Sequence, residues 1–454
     1  MPVSTPDTIA AVASPLGRGA IGIIRVSGPK VPALARALLG KLPEPRVALR
    51  AGFADADGAS LDQGLALYFP APHSFTGEHV LELHGHGGAV VLDLVMRRLL
   101  ELGCRPARPG EFSERAFLNG KMDMAQAEAV ADLIDAGSSA AARAAVRSLQ
   151  GEFSALVADL QAKITALRVY VEAAIDFPDE EIDFLSDAAV GGRLEEVAAQ
   201  FERLTAAARQ GALLRDGLTV VIAGKPNAGK SSLLNRLVGD EVAIVTDLPG
   251  TTRDVLRQPV HLDGMPLNLM DTAGLRSPAD VIEAEGIRRA MNAMRHADRV
   301  LYVLDATHAD AAIHDELALE LERLAPAVPV TLIFNKIDLL GAAPAIDTQA
   351  APVRIHLSAK TGEGLPLLRA HLKTVAGYAD SGAGVISARR RHLHALGRAR
   401  AHVEGAAQSM RENRAFELFA EELRVAQQCL GEITGEFTSD DLLGEIFGSF
   451  CIGK

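Results

Sequence analysis

The stretch GKPNAGKS, from Gly224 to Ser231, has the spacing G-x-x-x-x-G-K-S, which is chemistry for a polyphosphate. Its glycines let successive backbone N–H groups curl around phosphate oxygens at a helix N-terminus. Lys230 would reach the β- and γ-phosphates, and the Ser231 hydroxyl would ligate magnesium, with Asn227, Ala228, Gly229 and Ser232 completing the loop. Downstream, Asp271, Thr272, Ala273 and Gly274 offer a carboxylate that would hold magnesium through water and an N–H that would meet the γ-phosphate. Between them lies the run Thr246, Asp247, Leu248, Pro249, Gly250, Thr251 and Thr252, whose last two threonines are candidates to complete the metal's coordination. Base choice falls to Asn335, Lys336 and Asp338. A carboxylate at Asp338 accepts from both N1–H and the exocyclic amine of guanine, and adenine would leave that charge unsatisfied. Ser358, Ala359 and Lys360 then present a backbone N–H to guanine O6. In this fixed order the elements specify a GTP-binding and GTP-hydrolysing domain.

Two positions depart from the commonest arrangement. The residue after Gly274, where small GTPases carry a water-orienting glutamine, is Leu275. Glu283 and Glu285 follow in RSPADVIEAEG; they read either as exposed helix carboxylates or as replacements for that glutamine. Asn227 inside the phosphate loop is the second. Its amide oxygen would suit a monovalent cation that brings the charge an arginine finger otherwise supplies.

Such residues need strand ends to stand on. LTVVIAG, MPLNLMDTAG, RVLYVLDA, VPVTLIFN and VRIHLSA are near-continuous apolar runs alternating with helical segments, the pattern of a parallel sheet covered on both faces. Residues 1–119 hold short β-like runs and turns and predict a small α+β domain. From 120 to 213 the spacing is helical, interrupted by DFPDEEIDFLSD, a solvated helix-to-helix connection or an acidic partner-binding or cation site. After the linker ADSGAG, helical sequence returns over 380–454. The α/β domain, 214–379, is therefore expected as an insertion in a discontinuous helical domain.

At 454 residues, 48% apolar and 23% charged, the chain is of globular composition. No apolar run approaches the roughly 18 residues of a membrane span. Three widely spaced cysteines and no basic-then-apolar leader point to the cytoplasm. A net charge of −12 argues against broad, charge-driven nucleic-acid binding. The run RRRHLHALGRARAH (389–402) is a basic helix face or a local RNA patch. Cys104 and Cys429 read as buried core. His84 and His86 in LHGHGG read as a Gly-rich turn before a helix rather than as metal ligands.

The motifs GKPNAGKSS, TDLPGTTRD, DTAGLR and the terminal CIGK resemble those of the MnmE (TrmE) family of tRNA-modification GTPases. The resemblance extends over the whole chain, including GRGAIGIIRVSG, PGEFSERAFLN, DFPDEEIDFL and GEFTSDDLLGEIFGSFCIGK, with no departure at a motif position. It implies an N-terminal folate-binding-like α+β domain that also dimerises, a helical domain, and an inserted Ras-like P-loop domain. By the same resemblance, potassium maps to Asn227, Thr246, the Leu248 carbonyl and Thr251 and drives G-domain dimerisation. Magnesium maps to Ser231 and Thr252, and the water-orienting acid to Glu283. Arg25, Glu82 and Lys121 map to the pterin contacts of 5,10-methylene- or 5-formyl-tetrahydrofolate, the source of a carbon unit. With the FAD-dependent partner MnmG, the family places an aminomethyl or carboxymethylaminomethyl group on carbon 5 of the wobble uridine of tRNA. Cys451 would act there as a thiolate; from the residues alone it is a frayed end or a docked tail. A regulatory GTPase of ribosome assembly is the alternative that the G domain alone allows, though such factors usually carry basic RNA-binding appendages. A stand-alone folate-dependent transferase is weakened by the absence of any flavin or nicotinamide fingerprint.

Overall fold

The computed structural model describes residues 7–15, 17, 19–176, 187–239, 258–271, 297–308, 328–378, 385–413, 415–436, 440–448, 450 and 453. It divides into two units. One comprises Met1–Asp135, Val146–Glu202 and His394–Lys454, the other Ala136–Ala145 and Arg203–Leu393.

In the first unit, β1 (Ile9–Val12), β2 (Gly19–Ser27), β3 (Leu49–Ala54), β4 (Ser60–Phe69), β5 (Val80–Gly87) and β6 (Arg105–Pro106) form one sheet in the order β3-β4-β5-β2-β1-β6. All its pairings are antiparallel except β1 with β6. Period-2 alternation sends Ile24, Val26, Ala66, Tyr68, Leu81 and Leu83 to one face, where α1 (Val31–Leu39) and α2 (Ala89–Glu101) bury them. The opposite face carries Arg25 and its cross-strand neighbour Glu82. Helices α3 (Glu111–Leu118), α4 (Met124–Ile134), α6 (Glu152–Asp176), α11 (Phe416–Thr434) and α12 (Asp440–Gly448) lie wholly within the unit. Helix α4 opens on a capping box, in which Asp123 accepts from the Gln126 N–H while the Gln126 side chain reaches back to the Asp123 N–H.

The helical stretch expected over 120–213 breaks into α4, α5 (Ser139–Leu149), α6 and α7 (Asp187–Asp216). Most of the acidic run from Asp176 to Asp187 lies outside the described residues. The basic run at 389–402 opens α10 (Arg390–Asn413). Its charges are largely met within the chain: Arg400 pairs with Glu202 and Glu404, Arg398 with Glu432, and Arg390 lies near Asp216 and Asp298. That is the helix-face reading rather than a free patch. The predicted turn at His84 and His86 is corrected, since both sit in β5 and only Gly88 caps α2. His86 binds Asp62 at 2.7 Å, and no metal cluster exists among the described residues. Cys104 and Cys429 are buried, as expected.

In the second unit, β7 (Leu218–Ala223), β8 (Gln258–Leu262), β9 (Met265–Asp271), β10 (Arg299–Asp305), β11 (Val330–Asn335), β12 (Ala345–Asp347) and β13 (Val353–His356) make a seven-stranded sheet in the order β12-β13-β11-β10-β7-β9-β8. The five inner strands are parallel, and β8 and β12 run antiparallel at the edges. Leu233 and Leu237 of α8 (Lys230–Gly239) and Leu365, Leu368 and Leu372 of α9 (Leu365–Ala376) cover one face. Val221, Val300, Tyr302, Leu332 and Phe334 form the core of the other. Burial on both faces explains why these strands read as continuous apolar runs.

Candidate functional site: a phosphate loop and base-selecting turns at the sheet's carboxyl edge

The loop Gly224–Ser231 joins β7 to α8. Gly224 has φ 142°, and a β-carbon there would collide with the Val303 carbonyl of the neighbouring strand. Gly229 has φ 96° and lies so close to the Asn335 amide that only hydrogen fits. These two approaches curl the backbone into the first turn of α8, leaving N–H groups without intrahelical partners, the arrangement that binds anions. Lys230 is buried to 8% exposure, and its ammonium donates to the carbonyls of Gly224 (2.9 Å) and Lys225 (2.8 Å), so it spans the loop it would share with a phosphate. Ser231 is exposed on the first turn of α8, an oxygen donor of the type magnesium takes. Asn227, at φ 61°, is exposed at the loop's apex.

Asn335 at the end of β11 ties the two halves of the site together. Its amide donates to the Ala228 carbonyl at 2.8 Å, and its side-chain oxygen accepts from the Ala359 N–H at 2.9 Å. Asp338 is aligned by the Ser358 hydroxyl at 2.7 Å, and that hydroxyl also accepts from the Thr361 N–H. Arg236 of α8 donates to the Thr361 carbonyl at 3.2 Å, bracing the 358–362 turn from below. The Phe334 and His356 rings stack at 4.7 Å between neighbouring strands. Lys336, with a left-handed φ of 70°, places its ammonium 2.6 Å from Asp305. Burial pushes Asp305 upward, but the Lys336 bond and two bonds from Thr307 outweigh it and hold the carboxyl at about 2. Sequence reasoning missed Asp305. The available signal was an aspartate ending the buried run RVLYVLD, directly beside the strand that ends in Asn335.

The structure thus brings together Asn227 to Ser232 and Asn335, Lys336, Asp338, Ser358 and Ala359. Asp271 ends β9, in register with Ile222 of β7. Thr246 to Thr252, Thr272 to Gly274, Glu283 and Cys451 lie outside the described residues.

In the first unit, Arg25 donates to Glu82 (3.0 Å), and His84 lies 3.4 Å from the other carboxylate oxygen. The Arg25 guanidinium also stands over the rings of Phe75 (5.4 Å) and Phe112 (5.8 Å). Lys121 donates to the Pro72 carbonyl, at the start of the loop that carries Phe75. That loop is pinned by Glu78, which accepts from Ser27 and Arg115. Arg115 and Arg105 both clamp Glu111, which is 3% exposed. The rings and the Glu78–Arg115–Glu111 network were not legible as site features, because no local motif marks them.

A family model described as the MnmE helical domain matches residues 124–451, and one described as the GTP-binding protein TrmE N-terminus matches residues 8–121. The chain is 60% identical to a tRNA modification GTPase MnmE of Alkalilimnicola ehrlichii, over 98% of this chain and 99% of that one. It is 58% identical to the protein of that name from Yersinia pseudotuberculosis, over the full length of both. The Proteus mirabilis protein of that name shares 56%, over 99% of each chain.

Proposed function

The chain belongs to the MnmE family of tRNA-modification GTPases, and from that premise we propose that its GTP hydrolysis drives aminomethyl or carboxymethylaminomethyl transfer to carbon 5 of the wobble uridine. The observation that carries the nucleotide half is the Asn335 bridge from the phosphate loop to the Ser358–Lys360 turn, which sets the guanine-selecting Asp338 and the phosphate cradle in one frame. Lys230 exchanges its two carbonyl contacts for phosphate oxygens. Ser231 and Thr252 hold magnesium, and Asn227, Thr246, the Leu248 carbonyl and Thr251 hold potassium. The exposed Asn227 amide suits that role. Bound, the two cations supply positive charge against that developing on the γ-phosphate. Asp247, Pro249, Gly250, Thr272, Ala273, Gly274 and Lys360 complete the nucleotide contacts, and Glu283 orients the attacking water.

For the one-carbon half, Glu82 offers a carboxylate for the donor edge of a pterin, with Arg25 and the Phe75 ring beside it and Lys121 on the adjoining loop. These donor types fit 5,10-methylene- or 5-formyl-tetrahydrofolate. The described end of the tail supports a role for Cys451 here. Gly453, at φ 97°, packs against the Val12 carbonyl of β1, whose Ala11 pairs with Arg25. Ile21 and Leu65 are exposed on the same sheet face as Arg25 and Glu82, which suits homodimerisation through this domain. The FAD-dependent MnmG is the partner that supplies the redox step, in the cytoplasm, and no described helix is long and apolar enough to cross a membrane. The domain limits 1–119, 120–213 with 380–454, and 214–379 belong to this reading. The full-length relatives, all tRNA-modification GTPases, do not favour the ribosome-assembly alternative.

Nucleoside analysis of bulk tRNA from a strain lacking the chromosomal gene tests the proposal. Glu283→Ala should bind GTP normally but lose turnover about hundredfold, with the modified uridine falling accordingly. Cys451→Ser should abolish the modification while GTP turnover persists. Normal modification in either variant removes that residue from its role.

A further inference from the structure

We propose that Asp305 is a positioning residue for guanine-nucleotide binding, acting through Lys336. The polar side chains of the 335–338 turn are fixed at three separate strand ends. Asn335 is held between Ala228 and Ala359, and Asp338 by Ser358. Lys336 is held by Asp305, the last residue of β10, which pairs in register with Asn335 across the parallel ladder. That register makes the Asp305 carboxylate emerge beside Lys336 at the edge where the phosphate loop also sits.

Both partners are committed to this geometry. One Asp305 oxygen accepts from the Thr307 N–H (3.0 Å) and hydroxyl (2.7 Å), leaving the other to meet Lys336 at 2.6 Å. Lys336 holds a left-handed backbone, a conformation disfavoured for residues with a β-carbon. A free lysine side chain samples many rotamers, and ordering it when ligand binds costs affinity. Anchored in advance, its four methylenes form a fixed wall two residues from the guanine-selecting Asp338. The pair is 30% and 20% exposed, so its effect is expected in preorganisation rather than in global stability.

The test uses the full-length protein, with equilibrium titration by a fluorescent GDP analogue and steady-state GTP turnover. Asp305→Asn keeps an acceptor for Thr307 but removes the charge. It should weaken GDP binding about tenfold, the scale of losing one charge-assisted hydrogen bond, and raise KM for GTP more than it lowers kcat. Lys336→Ala should lose at least as much. The double variant should be no weaker than Lys336→Ala alone, because the two act as one unit. If Asp305 is only a staple of the β10 end, the thermal midpoint of the nucleotide-free protein falls and the affinity losses add. That result overturns the proposal, as does unchanged GDP affinity in Asp305→Asn. Lys336→Met keeps the apolar stem without the anchored charge and serves should Asp305→Asn fail to fold. It should match the tenfold loss, and wild-type affinity would contradict the anchor.

Discussion

The two candidate sites sit on sheets of opposite design. In the second unit the site lies at the carboxyl edge of parallel strands, where Asp305 and Asn335 end β10 and β11 in register and the phosphate loop follows Ala223 of β7. Much of its recognition is backbone N–H, so its requirements are glycines and a few polar side chains at fixed spacing. In the first unit the site lies on the face of an antiparallel sheet. Arg25 and Glu82 meet there because two strands 57 residues apart in sequence pair in register. An edge site is written locally in the chain, whereas a face site is written in the pairing of distant strands.

Asp338→Asn should give the largest effect. Replacing an acceptor with a donor opposite the guanine N1–H and amine should cost about a thousandfold in GTP affinity and shift preference to xanthosine triphosphate. Retained GTP preference in competitive turnover would break the edge-site half of the contrast.

Arg115→Ala probes the face site's support. It leaves the buried Glu111 and the half-buried Glu78 with fewer counter-charges and should destabilise the first unit by about 3 kcal/mol, read from hydrogen exchange of α3 amides. An equal loss of protection in β10 and β11 would show that the effect is not confined to that unit. Glu82→Gln should weaken tetrahydrofolate binding about tenfold in calorimetry, by removing the charge from an acceptor. Unchanged affinity would dissociate this face from folate.

Acid should have the smallest effect. Burial raises the Glu111 pKa, but the Arg105, Arg108 and Arg115 hydrogen bonds outweigh it, so the folded value lies below the ordinary 4.5. A lowered folded pKa means that the unfolded chain takes up the proton first as pH falls. The stabilisation is therefore fully present above about 4.5 and lost below it. The urea midpoint of α3 protection should hold from pH 6 down to about 4.5 and fall below that, and Arg115→Ala should flatten the fall.

Legibility followed the same division. Gly224, Lys230, Asn335 and Asp338 announced themselves because a tight turn or a base edge demands that residue type. The parallel strands were readable as apolar runs. The β8–β9 hairpin was only half read, although its Asp263-Gly264 turn, at φ 48° and 86°, is the pair that such a hairpin favours. Its two strands are edge and near-edge, so β8 lacks the long apolar signature. Asp305 went unnoticed because a lone aspartate after a strand resembles any turn residue; only the register with Asn335 gives it a partner. Arg25, Glu82 and Lys121 became candidates through family resemblance alone, and Phe75, Phe112 and Arg115 not at all. Their proximity depends on strand pairing and on a loop pinned by Glu78, neither of which leaves a local pattern.

The most direct test of the account is GTP turnover by the purified protein in potassium buffer against sodium buffer at equal ionic strength. Strong stimulation by potassium, lost in Asn227→Ala, is the predicted result, with the phosphate loop and the Thr246–Thr252 run acting as one cation site. Equal rates in both salts would leave guanine selection intact but contradict the potassium-driven hydrolysis on which the proposed coupling to tRNA modification rests.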